Sequence, residues 1–201
     1  MLASYLHQGI TEAGLDEAGR GCYAGPVYAA AVILPADFYH PLLNDSKKLT
    51  EQQRNLLRPI IEQQCVAYAV AAIDHLQIDK INILKASITA MHHCVNQLTV
   101  PPQLLLVDGN RFSPYAGIPH QCIIKGDGKL ASIAAASILA KTYRDDYMNQ
   151  LHLQFPQYGW DKNKGYGTAA HRQAIQQFGL CTYHRKSFNI LPAAGIPKLD
   201  I

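Results

Sequence analysis

The sequence predicts an α/β fold in which a mixed sheet is flanked by helices. Three observations carry that prediction. Residues 27–34 and 104–107 are continuous apolar runs with proline before them, the pattern of buried strands. Ile81, Leu84, Ile88, Met91, Val95 and Leu98 recur at spacings of three and four, the stripe of an amphipathic helix. Hairpin-type connections come early and helical crossovers later, which mixes antiparallel with parallel pairing.

In chain order, a first strand lies around residues 9–15 and ends at Asp16-Glu17. The Gly-rich stretch 19–25 leads into the second strand, 27–34. Asn44-Asp45-Ser46-Lys47-Lys48 reads as a loop, and Thr50 as the N-cap of a helix over about 51–63. A third strand covers 65–73. The striped helix starts near Asp79, and Pro101-Pro102 forbid its continuation. Strands at 104–107 and 121–124 follow. A long helix runs from 129 to about 153, its first half rich in Ala and Ser, small enough for close approach to a sheet. Thr168 or a neighbour starts the last helix, which ends near Phe178-Gly179. The chain reads as one domain over residues 1–201, with a C-terminal extension from about 179. Residues 187–201 hold two prolines and no helical period.

A chain of 201 residues fits one domain and can bury about 70% of its unfolded surface without disulfides or structural metal. With 48% apolar and 16% charged residues it is neither disordered nor fibrous. The net charge of +3 is unevenly spread: residues 125–186 hold nine Lys/Arg and four Asp, and the rest holds nine Lys/Arg and eleven Asp/Glu. A basic C-terminal third suggests a surface for an anionic partner, though chance asymmetry would look the same. The cysteines at 22, 65, 94, 122 and 181 lack C-x-x-C spacing, which excludes zinc-ribbon and thioredoxin-like readings. No signal-peptide pattern and no membrane-spanning run are present, so a cytoplasmic protein is expected.

Four acids stand out by position. Asp16 and Glu17 end the first strand, Asp108 ends the strand 104–107, and Asp127 sits between a strand and the long helix. If the two strands are neighbours, these carboxylates converge. Converging carboxylates repel, and an oxygen-only set favours Mg²⁺ or Mn²⁺ over zinc. Two such ions could serve phosphodiester hydrolysis. A plainer reading stands beside this one: Asp-Gly at 108–109 and 127–128 is common turn chemistry, and Asp16-Glu17 could be a solvated strand end. His92-His93 have no third ligand at useful spacing and read as ordinary helix residues. Residues 125–129 lack the G-x-x-x-x-G-K-[ST] pattern of a nucleotide-binding loop.

The motifs are more specific than the pattern. Gly14-Leu15-Asp16-Glu17-Ala18-Gly19-Arg20-Gly21, then Gly25-Pro26-Val27, resembles the signature of the ribonuclease HII family. The match continues in the family's order through Asn44–Leu49, Val107-Asp108-Gly109-Asn110, Lys125-Gly126-Asp127, Ala134–Lys141, Gly165-Tyr166-Gly167-Thr168, and His184-Arg185 with Ser187-Phe188. Gly128 stands where family members often have Ser, and the tail does not clearly match a sliding-clamp-binding peptide.

The resemblance implies a ribonuclease H-like fold with a five-stranded mixed sheet. It implies a monomeric endonuclease dependent on Mg²⁺ or Mn²⁺, two ions being held in the substrate complex. The substrates would be RNA–DNA hybrids and single ribonucleotides in duplex DNA. Cleavage would fall 5′ of the ribonucleotide, leaving 3′-hydroxyl and 5′-phosphate ends. By position, Asp16, Glu17, Asp108 and Asp127 correspond to the metal-binding carboxylates. Gly19, Arg20 and Gly21 look like the loop that reads the 2′-hydroxyl, the group that distinguishes RNA from DNA. Tyr166 corresponds to a tyrosine that stacks on the sugar after the ribonucleotide; alone it would read as a packed loop aromatic. Lys47 looks like a phosphate contact near the scissile bond. Lys141, His184 and Arg185 look like further backbone contacts, and Ser137, on the helix face of Lys141, contacts phosphate or simply packs. A non-catalytic nucleic-acid binder would have lost a carboxylate. A transposase- or resolvase-like nuclease would lack the Gly-Arg-Gly loop and Tyr166.

Overall fold

The structure, a computed structural model, describes residues 2–190. Most of the tail expected at 187–201 lies outside the described residues. The sheet is assembled around β1 (Glu12–Ala18), which pairs antiparallel with β2 (Val27–Ile33) and parallel with β4 (Leu104–Asp108). β3 (Ala67–Ile73) extends one edge antiparallel to β2, and β5 (His120–Ile123) extends the other parallel to β4. The order is β3-β2-β1-β4-β5, a five-stranded mixed sheet as expected. β1 starts at Glu12, later than the expected residue 9, and runs one residue beyond the expected end at Asp16-Glu17.

Helices cover both faces. α3 (Ile83–Gln97) packs Ala86, Ala90, Met91, Cys94 and Val95 onto Ala13, Leu15, Val27, Ala29, Leu105 and Val107. On the other face, α1 (Glu51–Gln64) and α4 (Ala131–Gln154) enclose Ala30 and Val32 with Leu57, Ile61, Ala135, Ala136, Ile138 and Leu139. Thr50 caps α1 in a full capping box: its side chain accepts from the Gln53 N–H, and the Gln53 side chain accepts from the Thr50 N–H.

The expected single helix toward Leu98 is two. α2 (His75–Ile81) ends and α3 begins at Asn82, whose φ is +68° and whose side chain accepts from the Lys85 N–H. Asn tolerates that left-handed φ and caps the next helix at once, so it breaks the chain inside an unbroken apolar stripe. Asp79 is therefore inside α2. Its carboxylate accepts from the backbone N–H groups of Lys186 and Ser187, which ties the C-terminal segment to this helix. The buried face of α3 is also rotated from the expected stripe, leaving Leu84 and Ile88 half-buried.

A third cluster gathers Met148, Leu151, Tyr158, Trp160, Ile175 and Ile190 beyond the sheet. It joins the end of α4 to two further helices, a short α5 (Trp160–Asn163) absent from the expectation and α6 (Ala169–Phe178) capped by Thr168. All five cysteines are free. Among the described residues, no helix is long and apolar enough to cross a membrane.

The sheet and α4 approach each other closely at Gly14. A Cβ there would lie 2.2 Å from the Ser132 carbonyl carbon and 2.4 Å from the Ile133 nitrogen, backbone atoms that cannot turn away. Gly14→Ala must push α4 off β1. We expect a loss of about 3 kcal/mol and a fall in melting temperature on the order of 6–12 °C, read by thermal unfolding; a melt within 2 °C of the parent, a limit of about 1 kcal/mol, would contradict the close approach.

Candidate active site

The parallel register of β1 and β4 places Leu15 opposite Val107, so the next residues, Asp16 and Asp108, end the two strands side by side. The pleat sends Asp16 to the face of Gly14, against α4, and Glu17 to the opposite face. Asp127 arrives from a 3₁₀ turn, Gly126–Gly128, between β5 and α4. That turn is tied to β4: the Gly126 N–H donates to Asp108 Oδ1 at 2.7 Å. All four acids thus lie at the carboxyl ends of two central strands, where crossover topology opens a crevice.

Their electrostatics are those of one group. Asp16 is buried, and that burial, then the charges of Glu17 and Asp108, hold its carboxyl well above the usual carboxylate range. A hydrogen bond from Ser137 and the Glu17 N–H at 2.7 Å pull the other way. Burial also raises Glu17, against the nearby Arg20 guanidinium. Asp108 is raised by burial and by Asp127, against the Gly126 amide.

Two cations stand among these acids. Lys47 Nζ donates to Asp127 Oδ2 at 2.9 Å, and Arg20 Nη1 donates to Glu17 Oε1 at 3.1 Å. Among the described residues, no three His, Cys, Asp or Glu side chains are grouped closely enough to hold a metal ion as they stand. The chemistry of the donor set nevertheless fits a hard dication: it is oxygen-only and mutually repelling. Lys47 is free to swing aside, its side chain being 74% exposed. Its loop is anchored behind it, where Ser46 Oγ meets Ser137 Oγ at 2.8 Å and Arg54 donates to the Ser46 carbonyl.

The Gly-Arg-Gly loop follows β1. Gly19 has φ +94°, and a Cβ there would lie 2.1 Å from Arg144 Nε. Only glycine fits both demands. A Cβ at Gly21 would meet nothing within 4 Å, so that backbone is open to an approaching ligand. An isolated bridge between Cys22 and Tyr166 brings the second motif alongside, and the Tyr23 N–H donates to the Gly165 carbonyl at 2.8 Å. Tyr166 is 41% exposed, its ring centre lies 5.8 Å from the Arg144 guanidinium, and burial pushes its hydroxyl up to about 12. Glu17, Arg20, Asp108, Asn110 and Arg111 rim a neighbouring cavity of about 290 Å³ whose floor includes Leu84 and Ile88.

Two expected backbone contacts are placed elsewhere. Arg185 is fully buried; its Nε donates to the Gly25 carbonyl and its Nη1 to the Arg20 carbonyl, both at 2.9 Å. His184 is also fully buried, among Tyr158, Trp160 and His171. Neither offers a surface to phosphate. Adjacent charged and aromatic residues read alike in sequence whether they face water or carbonyls. Lys141 is half-buried and pairs with Asp145 one turn on, at 3.2 Å, and Ser137 is buried behind Asp16.

Sequence reasoning missed Arg144. Fully buried, it donates to the carbonyls of Pro26, Ala24 and Lys164. The available signal was spacing: Ser137, Lys141 and Arg144 stand at i, i+4 and i+7 on one helix face. Lys164 is buried too, so three of the nine cations in the basic third are internal.

Comparison with known proteins bears on this arrangement. The family model described as Ribonuclease HII matches residues 13–191. The ribonuclease HII of Bacteroides thetaiotaomicron is 62% identical over 191 residues, covering 95% of this chain and 96% of that protein. That of Phocaeicola vulgatus is 59% identical over 201 residues, covering 100% and 99%. Among solved structures, ribonuclease H2 from Pyrococcus horikoshii superposes with a TM-score of 0.75 at 24% identity, covering 90% of this chain and 95% of that one, a likeness of fold. The chain belongs to the ribonuclease HII family, and it is a ribonuclease H, an endonuclease that hydrolyses phosphodiester bonds.

Proposed function

We propose that this ribonuclease cleaves RNA in RNA–DNA hybrids and on the 5′ side of single ribonucleotides in duplex DNA, leaving 3′-hydroxyl and 5′-phosphate ends. The observation that carries the reading is the convergence of Asp16, Glu17, Asp108 and Asp127 on adjacent strand ends, beside an open glycine loop and a half-exposed tyrosine. The four carboxylates would hold two Mg²⁺ or Mn²⁺ ions in the substrate complex, which would supply activation of a water and charge stabilisation at the leaving oxygen.

The chain's own residues supply the rest. Lys47 exchanges its contact with Asp127 for the scissile phosphate, a transfer its exposed stem permits. The Gly19-Arg20-Gly21 backbone reads the 2′-hydroxyl, which both donates and accepts. The Tyr166 ring stacks on the sugar 3′ of the ribonucleotide and favours deoxyribose there. Lys141 contacts backbone phosphate from α4, while Ser137 holds Asp16 and the Lys47 loop from behind. Arg144 and Arg185 fix the shape of the glycine loop from inside.

Asp16→Asn and Asp108→Asn should each abolish cleavage while leaving hybrid binding largely intact; unchanged turnover in either variant, measured in single-turnover assays, would remove the metal assignment. The same Asp16→Asn variant should melt higher than the parent in EDTA, because it removes a charge that burial and its neighbours disfavour. A lower melt would show that the carboxylates do not strain one another.

Substrate choice has its own test. With Mg²⁺ or Mn²⁺, a duplex carrying one ribonucleotide should be cut once, on its 5′ side, and an all-DNA duplex should not be cut. EDTA should stop the reaction, and excess metal should restore it. Equal cutting of both duplexes, or of neither, overturns the specificity assigned to the loop.

A further inference from the structure

Two buried histidines outside the carboxylate site form a polar chain that ends on Tyr166. Both His171 and His184 are fully buried. The Trp160 Nε1–H, which can only donate, gives its hydrogen bond to His171 Nε2 at 3.0 Å. His171 Nε2 is therefore unprotonated, and its proton sits on Nδ1. That Nδ1–H donates to the Tyr166 carbonyl at 2.9 Å. At the other end, His184 Nδ1 accepts from the Cys181 N–H at 3.0 Å, so His184 carries its proton on Nε2 and donates to His171 Nε2 at 3.2 Å. Every ring nitrogen has a partner, and both rings are neutral. Burial holds both below the ordinary imidazole value, His184 at about 4.

A buried polar chain whose members are all hydrogen-bonded is tolerated in an apolar cluster, and it rigidifies what it touches. Its free end is the backbone of Tyr166, which lies alongside the glycine loop. Tyr166 is held at three points: its N–H donates to the Asn163 carbonyl at 2.8 Å, and its carbonyl accepts from the Thr168 N–H at 2.8 Å as well as from His171. Thr168 is the N-cap of α6 and His171 lies in that helix's first turn, so the tyrosine is referred to a rigid element.

We propose that His171 is a positioning residue for Tyr166: through its Nδ1–H it fixes the Tyr166 backbone, and so sets the ring against the glycine loop where the nucleotide following the ribonucleotide is read. The consequence for specificity rests on the role given to Tyr166 above. The positioning itself does not.

Two isosteres separate positioning from core filling. Asn at 171 places an amide nitrogen where Nδ1 lies and keeps the donor to Tyr166, while losing the contacts at Nε2. Gln reaches the Nε2 position and loses the donor to Tyr166. Amide hydrogen exchange reads the loop, and the ratio of kcat/KM on a single-ribonucleotide duplex to that on a uniform hybrid reads selectivity. His171→Gln should speed exchange across 165–168 and lower the ratio about tenfold, the scale of one lost hydrogen bond, with hybrid cleavage changed much less. His171→Asn should keep slow exchange and a ratio within about twofold of the parent, an allowance smaller than one such bond. In a Tyr166→Ala background, His171→Gln should have no further effect on the ratio.

Equal exchange and equal ratios in the Asn and Gln variants would overturn the proposal, as would losses in both that merely follow their melting temperatures. If Tyr166→Ala leaves the ratio unchanged, the selectivity role of Tyr166 fails, and the exchange measurement alone decides whether His171 positions the loop.

Discussion

The structure is organised around the repulsion among four carboxylates at the ends of β1 and β4. Parallel pairing puts Asp16 beside Asp108 with no freedom to part, since both are strand residues in register. Everything near them compensates. The Gly126 amide is spent on Asp108, the Glu17 amide and Ser137 on Asp16, Lys47 on Asp127 and Arg20 on Glu17. Such a cluster is a cost to folding, and the core beneath it must offset that cost. It does so by density: the first turns of α4 are Ala and Ser almost throughout, buried, and seated on Gly14. A bulkier helix would lift Ser137 away from Asp16 and from Ser46 together.

A second constraint shapes the loop that follows β1. The chain from Gly19 to Pro26 makes few regular hydrogen bonds of its own, and two buried guanidinium groups take its carbonyls instead. Arg185 holds those of Arg20 and Gly25, and Arg144 those of Ala24 and Pro26. A guanidinium suits this work because its planar fork serves several acceptors at fixed angles. Burying such charges without carboxylate partners is expensive, and Arg185 Nη2 has no hydrogen-bond partner at all. The return is a loop whose backbone can be presented to solvent without collapsing.

Much of this was legible in the sequence because it is local. The Thr50 capping box, the apolar strands and the Ala-rich face of α4 each follow from residues a few positions apart. The convergence of Asp16 with Asp108 needed only strand adjacency. What could not be read depends on partners far along the chain. Asn82 splits a helix inside an uninterrupted apolar stripe, since nothing in the stripe records a left-handed φ. His184 and Arg185 carry polar side chains that suit a phosphate surface, yet they are covered by Trp160, Tyr158 and the glycine loop, more than twenty residues away or across the whole chain. His171 gained its meaning only when Trp160 fixed its tautomer.

The same distance effect corrects the reading of charge. Of the nine cations between residues 125 and 186, Arg144, Lys164 and Arg185 are buried. Arg144 and Arg185 act on backbone carbonyls, and Lys164 Nζ on Asn149 and the Asp161 carbonyl. They are out of reach of an anionic duplex, because their donors are held by partners inside the fold. The cations that do reach the carboxylate crevice include Lys47, Arg20 and Arg111, all from outside the basic third. Net charge by segment is therefore a poor guide to where this protein meets nucleic acid. The better guide is which cations lack a carbonyl or carboxylate they cannot leave. By that measure Lys47 stands out, exposed along its stem and bound at its tip to an acid of the crevice.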